Sequence, residues 1–238
     1  INLTAGYNQD LDEVKPEKMH SIELALDYKL NDQFNISAVG YFNQIENVID
    51  VGVIYADPSQ YEMPTIGTDV PGTWNGFWYF KNTEGAIQQL GFELCANYSI
   101  DRLSMSASHS LVKLLNADDQ QKGSMYITAE DNFKAFPENV SRAHIMFDFT
   151  DNLSLAANYL YYYSWYSPID QLVKGNHLLS FSGIISMGDH FEASFTVKNA
   201  LAQKQLYPMN SNAGDASLSD GTPALEKPTY WIRLSYKF

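Results

Sequence analysis

Polar and apolar residues alternate with a period of two through most of this chain, which restricts it to extended strands with two unlike faces. Residues 21–30 place Ile22, Leu24, Leu26, Tyr28 and Leu30 on one side and Glu23, Asp27 and Lys29 on the other. Asn31-Asp32-Gln33 marks a tight turn, and a second strand runs from Phe34 to about Asn47 with Phe34, Ile36, Ala38 and Phe42 on its more apolar face. Between 51 and 80 the alternation stops among Pro58, Pro64, Gly67, Pro71, Gly72 and Gly76, so a long loop is expected there.

The same unit recurs. Leu90, Phe92, Leu94, Ala96, Tyr98 and Ile100 share a face, a turn follows near Asp101, and Leu103, Met105, Ala107 and Leu111 continue on the next strand opposite Ser104, Ser106, Ser108 and Ser110. A polar stretch over 116–137 leads to Ala143, Ile145, Phe147 and Phe149, then to the turn Thr150-Asp151-Asn152. The strand after it carries Leu153, Leu155, Ala157, Tyr159, Tyr161, Tyr163 and Trp165. A third loop spans 166–176, before a strand ending at Met187, the turn Gly188-Asp189-His190, and a strand through Phe191, Ala193, Phe195 and Val197. A fourth loop, about 200–228, precedes a final strand with Tyr230, Ile232, Leu234, Tyr236 and Phe238 on one face. With an opening strand at 1–7, the pattern predicts about ten strands in an up-and-down antiparallel meander whose long loops all lie on one rim.

Charge separates the possible environments of the apolar face. On the cleanly phased strands that face holds no Asp, Glu, Lys or Arg, while Glu23, Asp27, Lys29, Glu93, Arg142, Asp148, Glu192, Lys198, Arg233 and Lys237 occupy the opposite one. A soluble sandwich core also excludes charge. However, these strands are longer than the roughly five or six residues usual in globular sheets and suit a tilted bilayer crossing. Aromatics also gather where the apolar face ends, at Tyr28, Phe34, Tyr98, Phe149 and Phe191 beside the short turns and at Tyr159, Tyr161, Tyr163 and Trp165 toward the long loops. Two such girdles around an apolar band fit a transmembrane β-barrel. The expected fold is therefore all-β, an antiparallel up-and-down transmembrane barrel in the outer membrane of a Gram-negative-type bacterium, with membrane lipid as a partner. With 28 acidic against 15 basic residues the formal charge is −13, which argues against nucleic acid as a partner. One cysteine, Cys95, excludes an internal disulfide. Ile1 opens in the middle of an alternating stretch, which reads as a fragment.

Four stretches carry a family resemblance. Asn8-Gln9-Asp10-Leu11 with Lys15-Pro16-Glu17 leads into Ser21-Ile22-Glu23-Leu24, and Asn82 with Gly85 leads into Gly91-Phe92-Glu93-Leu94. Val197-Lys198-Asn199-Ala200-Leu201 is followed by Lys204 and Tyr207, and the chain closes on Ile232-Arg233-Leu234-Ser235-Tyr236-Lys237-Phe238. In order and spacing the set resembles the C-terminal part of a TonB-dependent outer-membrane receptor, with Gln9 where Pro is usual and Ala200 where Leu is common. The resemblance implies that 1–238 is part of a barrel of about 22 strands closed by an N-terminal plug that is not visible in these residues. It also implies uptake of a scarce bulky ligand (a ferric siderophore, a cobalamin or an oligosaccharide), driven by an inner-membrane TonB complex acting through the plug. The alternating finish at Tyr230, Ile232, Leu234, Tyr236 and Phe238 resembles the signal by which outer-membrane barrels are recognised for assembly.

Tyr61, Trp74, Phe77, Trp78, Tyr79 and Phe80 in the first long loop are the candidate ligand contacts, because aromatic rings stack on sugars and flat chelators. The competing reading has these rings packing on each other or resting at lipid headgroups. The loop acids Asp118, Asp119, Glu130, Asp131, Asp215 and Asp220 carry oxygens of the kind Ca²⁺ takes, but solvated or lipid-bridging roles are the commoner outcome, and neither metal nor cofactor is expected. His144, on the polar face near Arg142 and Asp148, fits a hydrogen-bond network, and Cys95 an unpaired thiol. No catalytic residue is assigned. Two alternatives stay open: a self-contained ten-stranded barrel like the outer-membrane proteases, using Asp118-Asp119 and Asp170 with His177, and a soluble carbohydrate-binding β-protein.

Overall fold

The computed structural model describes residues 12–55, 76–124, 126–134, 136–167, 170–207, 222–223 and 225–237, with 52–55, 76–78, 206–207 and 222–223 described by backbone alone. In chain order the strands are β1 (Lys18–Lys29), β2 (Phe34–Glu46), β3 (Ile49–Tyr55), β4 (Gly76–Asn82), β5 (Ala86–Ile100) and β6 (Leu103–Ala117). They continue with β7 (Asn139–Thr150), β8 (Leu153–Tyr162), β9 (Trp165–Tyr166), β10 (Leu172–Val173), β11 (Asn176–Met187), β12 (Phe191–Lys198), β13 (Leu206–Tyr207), β14 (Thr222–Pro223) and β15 (Thr229–Tyr236). Nine of these form one antiparallel sheet in the order β1-β2-β5-β6-β7-β8-β11-β12-β15. The remaining six pair off as β3 with β4, β9 with β10 and β13 with β14.

Within the large sheet every neighbour in space is the next sheet strand in sequence, so short turns and long excursions alternate as expected. The turns after β1, β5, β7 and β11 lie on one rim, and the excursions after β2, β6, β8 and β12 lie on the other. Asn31 builds the first turn, its Oδ1 accepting the N–H groups of Gln33 and Phe34 at 2.9 Å each. Arg102 ties two adjacent turns together, donating to Phe149 O at 3.1 Å and to Asp151 Oδ1 at 2.9 Å.

Register fixes the two faces. Leu26 faces Ala38, which faces Leu94, and the apolar row continues through pairs such as Ala96–Ala107 and Met105–Ile145. It carries on through Phe181–Val197 and Phe195–Ile232 to the far edge. Among the described residues nothing covers this face: Leu24 is 78% and Ile232 81% exposed, and Phe92, Leu94, Ile145 and Phe195 are exposed too. Phe34–Tyr98, Phe147–Phe149 and Phe191–Tyr236 are ring pairs at its short-turn border, with centroids 6.5, 4.8 and 4.8 Å apart.

The buried core lies instead at the long-loop rim. Val48, Ile87, Leu114, Ala117, Ile127 and Phe133 pack together with Ile45 and Val112, where the excursion after β6 folds back over the ends of β2, β5 and β6.

Three expectations change, the first being β6, which runs on to Ala117 beyond the expected end at Leu111. The stretch 51–80 is not loop throughout, because β3 and β4 form a hairpin at its two ends, pairing from Ile49↔Asn82 to Tyr55↔Gly76. Its residues run apolar without alternation, so no period marked them. The strand expected to run through Trp165 stops at Tyr162, and Trp165–Tyr166 turns aside to pair with Leu172–Val173. The strand expected at 1–7 and the terminal Phe238 lie outside the described residues.

Candidate functional site

The polar face of the sheet forms a cleft of about 620 Å³, lined among others by Cys95, Asn97, Ser108, Arg142, His144 and Lys198. Successive strands deliver these groups at facing positions: Cys95 opposite Ser108, Ser108 opposite Arg142, His144 opposite Asn158. His144 Nδ1 and Asn158 Oδ1 share a hydrogen bond of 2.8 Å, Ser154 Oγ donates to Asp148 Oδ1, and Cys95 lies 3.6 Å from Asn97 Nδ2. Of the network anticipated around His144, the structure shows its bond to Asn158, while Asp148 is held separately by Ser154. Arg142 and Lys198 bring positive charge to this wall, and Glu226 reaches it from the stretch before β15.

Above the cleft, the excursions leave the sheet from stems locked by side chains. Asn82 joins three segments: its Oδ1 accepts Lys15 N–H at 2.6 Å, and its Nδ2 donates to Lys15 O at 2.8 Å and to Asn47 O at 2.6 Å. Glu17 Oε1 accepts the N–H of Ile49 at 2.8 Å, at the root of the β3–β4 hairpin. Gly85, at φ +87°, lets Asp118 approach so closely that a Cβ would fall 2.5 Å from its Oδ2. Asp118 Oδ2 then accepts the N–H of Ala86 at 2.7 Å. At the other end of the sheet Asn199, at φ +48° and 4% exposed, accepts Gln203 N–H and donates to Gln203 O and Glu226 O at 3.1, 2.9 and 2.7 Å. Lys15, Glu17, Asn82, Gly85 and Asn199, all drawn from the stretches that carried the family resemblance, thus act as rim clasps toward the two ends of the sheet, a role that no alternation or composition signal reveals.

The excursions also bind each other. Lys134, 3% exposed, forms an ion pair with Asp170 Oδ1 at 2.9 Å, linking the loop after β6 to the loop after β8. Lys122 pairs with Asp119 at 3.3 Å and Asp131 at 3.2 Å. Burial pushes the Tyr126 phenol up, assisted by the carboxylates of Glu17 and Asp50. Among the described residues no group of three or more His, Cys, Asp or Glu is placed to hold a metal ion.

Of the candidate ligand contacts, Phe77, Trp78 and Tyr79 fall on one strand, β4, with Phe80 following. Tyr79 and Phe80 point to opposite sides of that strand, Tyr79 half-buried and Phe80 exposed. Tyr61 and Trp74 lie outside the described residues, as do Asp215 and Asp220. The His–Asp couple needed by a protease-like barrel is not assembled: Asp170 is held by Lys134, whereas His177 bonds the Tyr159 hydroxyl and stacks on Tyr161 at 4.4 Å. Nor do the edge strands β1 and β15 pair with each other among the described residues, so the sheet stays open.

The sequence matches no protein-family model and no curated protein. Solved structures do match. The copper transporter OprC superposes with a TM-score of 0.64 at 15% identity, over 95% of this chain and 32% of its own. The siderophore receptor PirA from Acinetobacter baumannii gives 0.63 at 16%, over 95% and 32%. The FrpB iron transporter from Neisseria meningitidis gives 0.62 at 14%, over 96% and 32%. The chain thus spans about a third of the length of the receptors it matches. Its nine-stranded open antiparallel sheet shares the fold of about a third of each of these transporters and receptors.

Proposed function

We propose that this chain forms part of the wall of an outer-membrane active-transport receptor, with its apolar face against lipid and its polar face toward the lumen. The observation that carries the reading is an apolar face left uncovered by the described residues, on a meander whose long excursions share one rim. In a soluble protein an apolar surface of that extent would be a liability to aggregation, whereas in a bilayer it is the requirement. The polar wall of Ser108, Arg142, His144 and Lys198 suits a wet or plugged interior.

In this reading the cargo is a scarce bulky ligand: a ferric siderophore, a cobalamin or an oligosaccharide. The solved structures that share the fold are a copper transporter, a siderophore receptor and an iron transporter, which supports transport over catalysis. On the same reading the β3–β4 hairpin, rooted by Asn82 and Glu17, carries the ligand contacts Phe77, Trp78 and Tyr79, and Trp74 and Tyr61, outside the described residues, complete the set. A plug and the inner-membrane TonB complex supply the gating, and Tyr230, Ile232, Leu234, Tyr236 and Phe238 act as the assembly signal.

Accumulation assays test this directly. Cells producing the protein are offered labelled ferric catecholate, ferric hydroxamate, cobalamin and maltooligosaccharide, with and without the inner-membrane energising complex. Energised accumulation of one class is expected, with uptake reduced by Trp78→Ala and Tyr79→Ala. Uptake that is the same without the energising complex would leave a passive pore instead.

A further inference from the structure

The apolar face is not uniformly apolar. His109, Ser141, Tyr161 and His177 stand at facing positions across β6, β7, β8 and β11, forming a row perpendicular to the strands. Three strand spacings make it about 14 Å long. Its members are coupled: His109 Nδ1 and Ser141 Oγ share a hydrogen bond of 2.9 Å, and His177 stacks on Tyr161 at 4.4 Å while bonding the Tyr159 hydroxyl. Tyr163 closes the row on its loop side, 4.5 Å from the Tyr161 ring and edge-on to His109 at 6.0 Å.

Position and chemistry both matter. The row lies near the ends of β7, β8 and β11 that meet the long excursions. On that border a lipid-facing wall passes from hydrocarbon to headgroups, where hydroxyl and imidazole groups regain polar partners that the membrane interior denies them. The row is rich in N–H and O–H donors. No Asp or Glu occupies an apolar-face position of β5, β6, β7, β8 or β11. Of the acids near this rim, Asp170 pairs with Lys134, and Glu138, next to the start of β7, has its carboxyl pushed up by burial, against weaker lowering by the Phe133 backbone and Lys113. A donor-rich strip free of carboxylates, flanked by tyrosine rings, complements an anionic headgroup rich in acceptors and carried on apolar chains.

We propose that His109, Ser141, Tyr161 and His177, with the Tyr159 hydroxyl, form a binding site for the phosphorylated headgroup of an outer-leaflet lipid. The site rests on the lipid-facing reading of this surface, and its occupant is a lipid of the surrounding leaflet, not the transported ligand.

The test uses the full-length protein in phosphatidylcholine nanodiscs containing a small share of diphosphorylated lipid A or its dephosphorylated form. Bound glycolipid is counted by native mass spectrometry, and folding is checked by heat-modifiable gel migration. Lipid A is expected to be retained in preference to the dephosphorylated form. The double variant His109→Ala with His177→Ala should lower retention by about tenfold per imidazole, the worth of one charge-assisted hydrogen bond. Tyr159→Phe, which keeps the ring, should give a smaller loss, and Tyr28→Ala at the opposite border should give none. Excess inorganic phosphate should not displace the lipid. Equal retention of both lipid forms, an unchanged double variant, or displacement by inorganic phosphate would each overturn the proposal. If Leu94→Arg protein inserted normally, the lipid-facing reading itself would fall, which is a separate result.

Discussion

At the scale of single residues, the rim depends on a few amides whose hydrogen bonds cross long stretches of sequence. Asn199 is buried, holds a left-handed backbone and serves two carbonyls and one N–H. Asn199→Ala removes all of these bonds and leaves the carbonyl of Glu226 without its donor, so a loss of about 2–4 kcal/mol is expected in urea unfolding. Glu138 acts in the opposite direction. Burial raises its carboxyl above the ordinary value of 4.5, against weaker lowering by the Phe133 backbone and by Lys113. A raised carboxylic acid favours the fold while protonated, so its contribution is complete below the unfolded-state value and is lost as pH rises through the folded-state one. Hydrogen exchange of the loop 118–138 should therefore speed up between pH 4 and pH 7 beyond its intrinsic dependence, and Glu138→Gln should flatten that change. Neither residue stands out in the sequence. Asn199 is visible only through a family pattern, and Glu138 directly follows a polar stretch without period.

At the scale of elements, alternation made the strands legible. β1, β2, β5, β12 and β15 fall within a few residues of where the period places them, because one face meets an apolar phase and the other a polar one. No sustained alternation marks β3 or β4, so their pairing is not legible in the sequence. β6 extends to Ala117, beyond the expected end at Leu111, because its last turns join the rim core through Leu114 and Ala117. The face assignment yields a paired prediction. Leu94 and Ser106 point to opposite faces. Leu94→Arg should impair insertion by roughly 2–4 kcal/mol near the bilayer midplane, while Ser106→Arg should be much milder. Folding into lipid vesicles, followed by gel mobility, measures both; equal effects would contradict the face assignment.

For the whole molecule the decisive feature is the unpaired flank of the sheet on each side. Among the described residues β1 bonds only β2, and β15 only β12, leaving open rows of backbone donors and acceptors. The 238-residue chain, produced alone in detergent, should accordingly associate edge to edge. Light scattering is expected to show a mass that rises with protein concentration, and a concentration-independent monomer would mean that the chain closes on itself.

The strict neighbour order of the large sheet has a further consequence, for biogenesis. Each strand's partner is the next sheet strand in sequence, the widest gap being the excursion between β2 and β5 from Glu46 to Ala86, so rings larger than one excursion never have to close. Each hairpin can add to the edge left by the one before it. A delivery factor therefore has to shield one raw margin at a time, not the whole polymer, while the wall grows laterally into its surroundings.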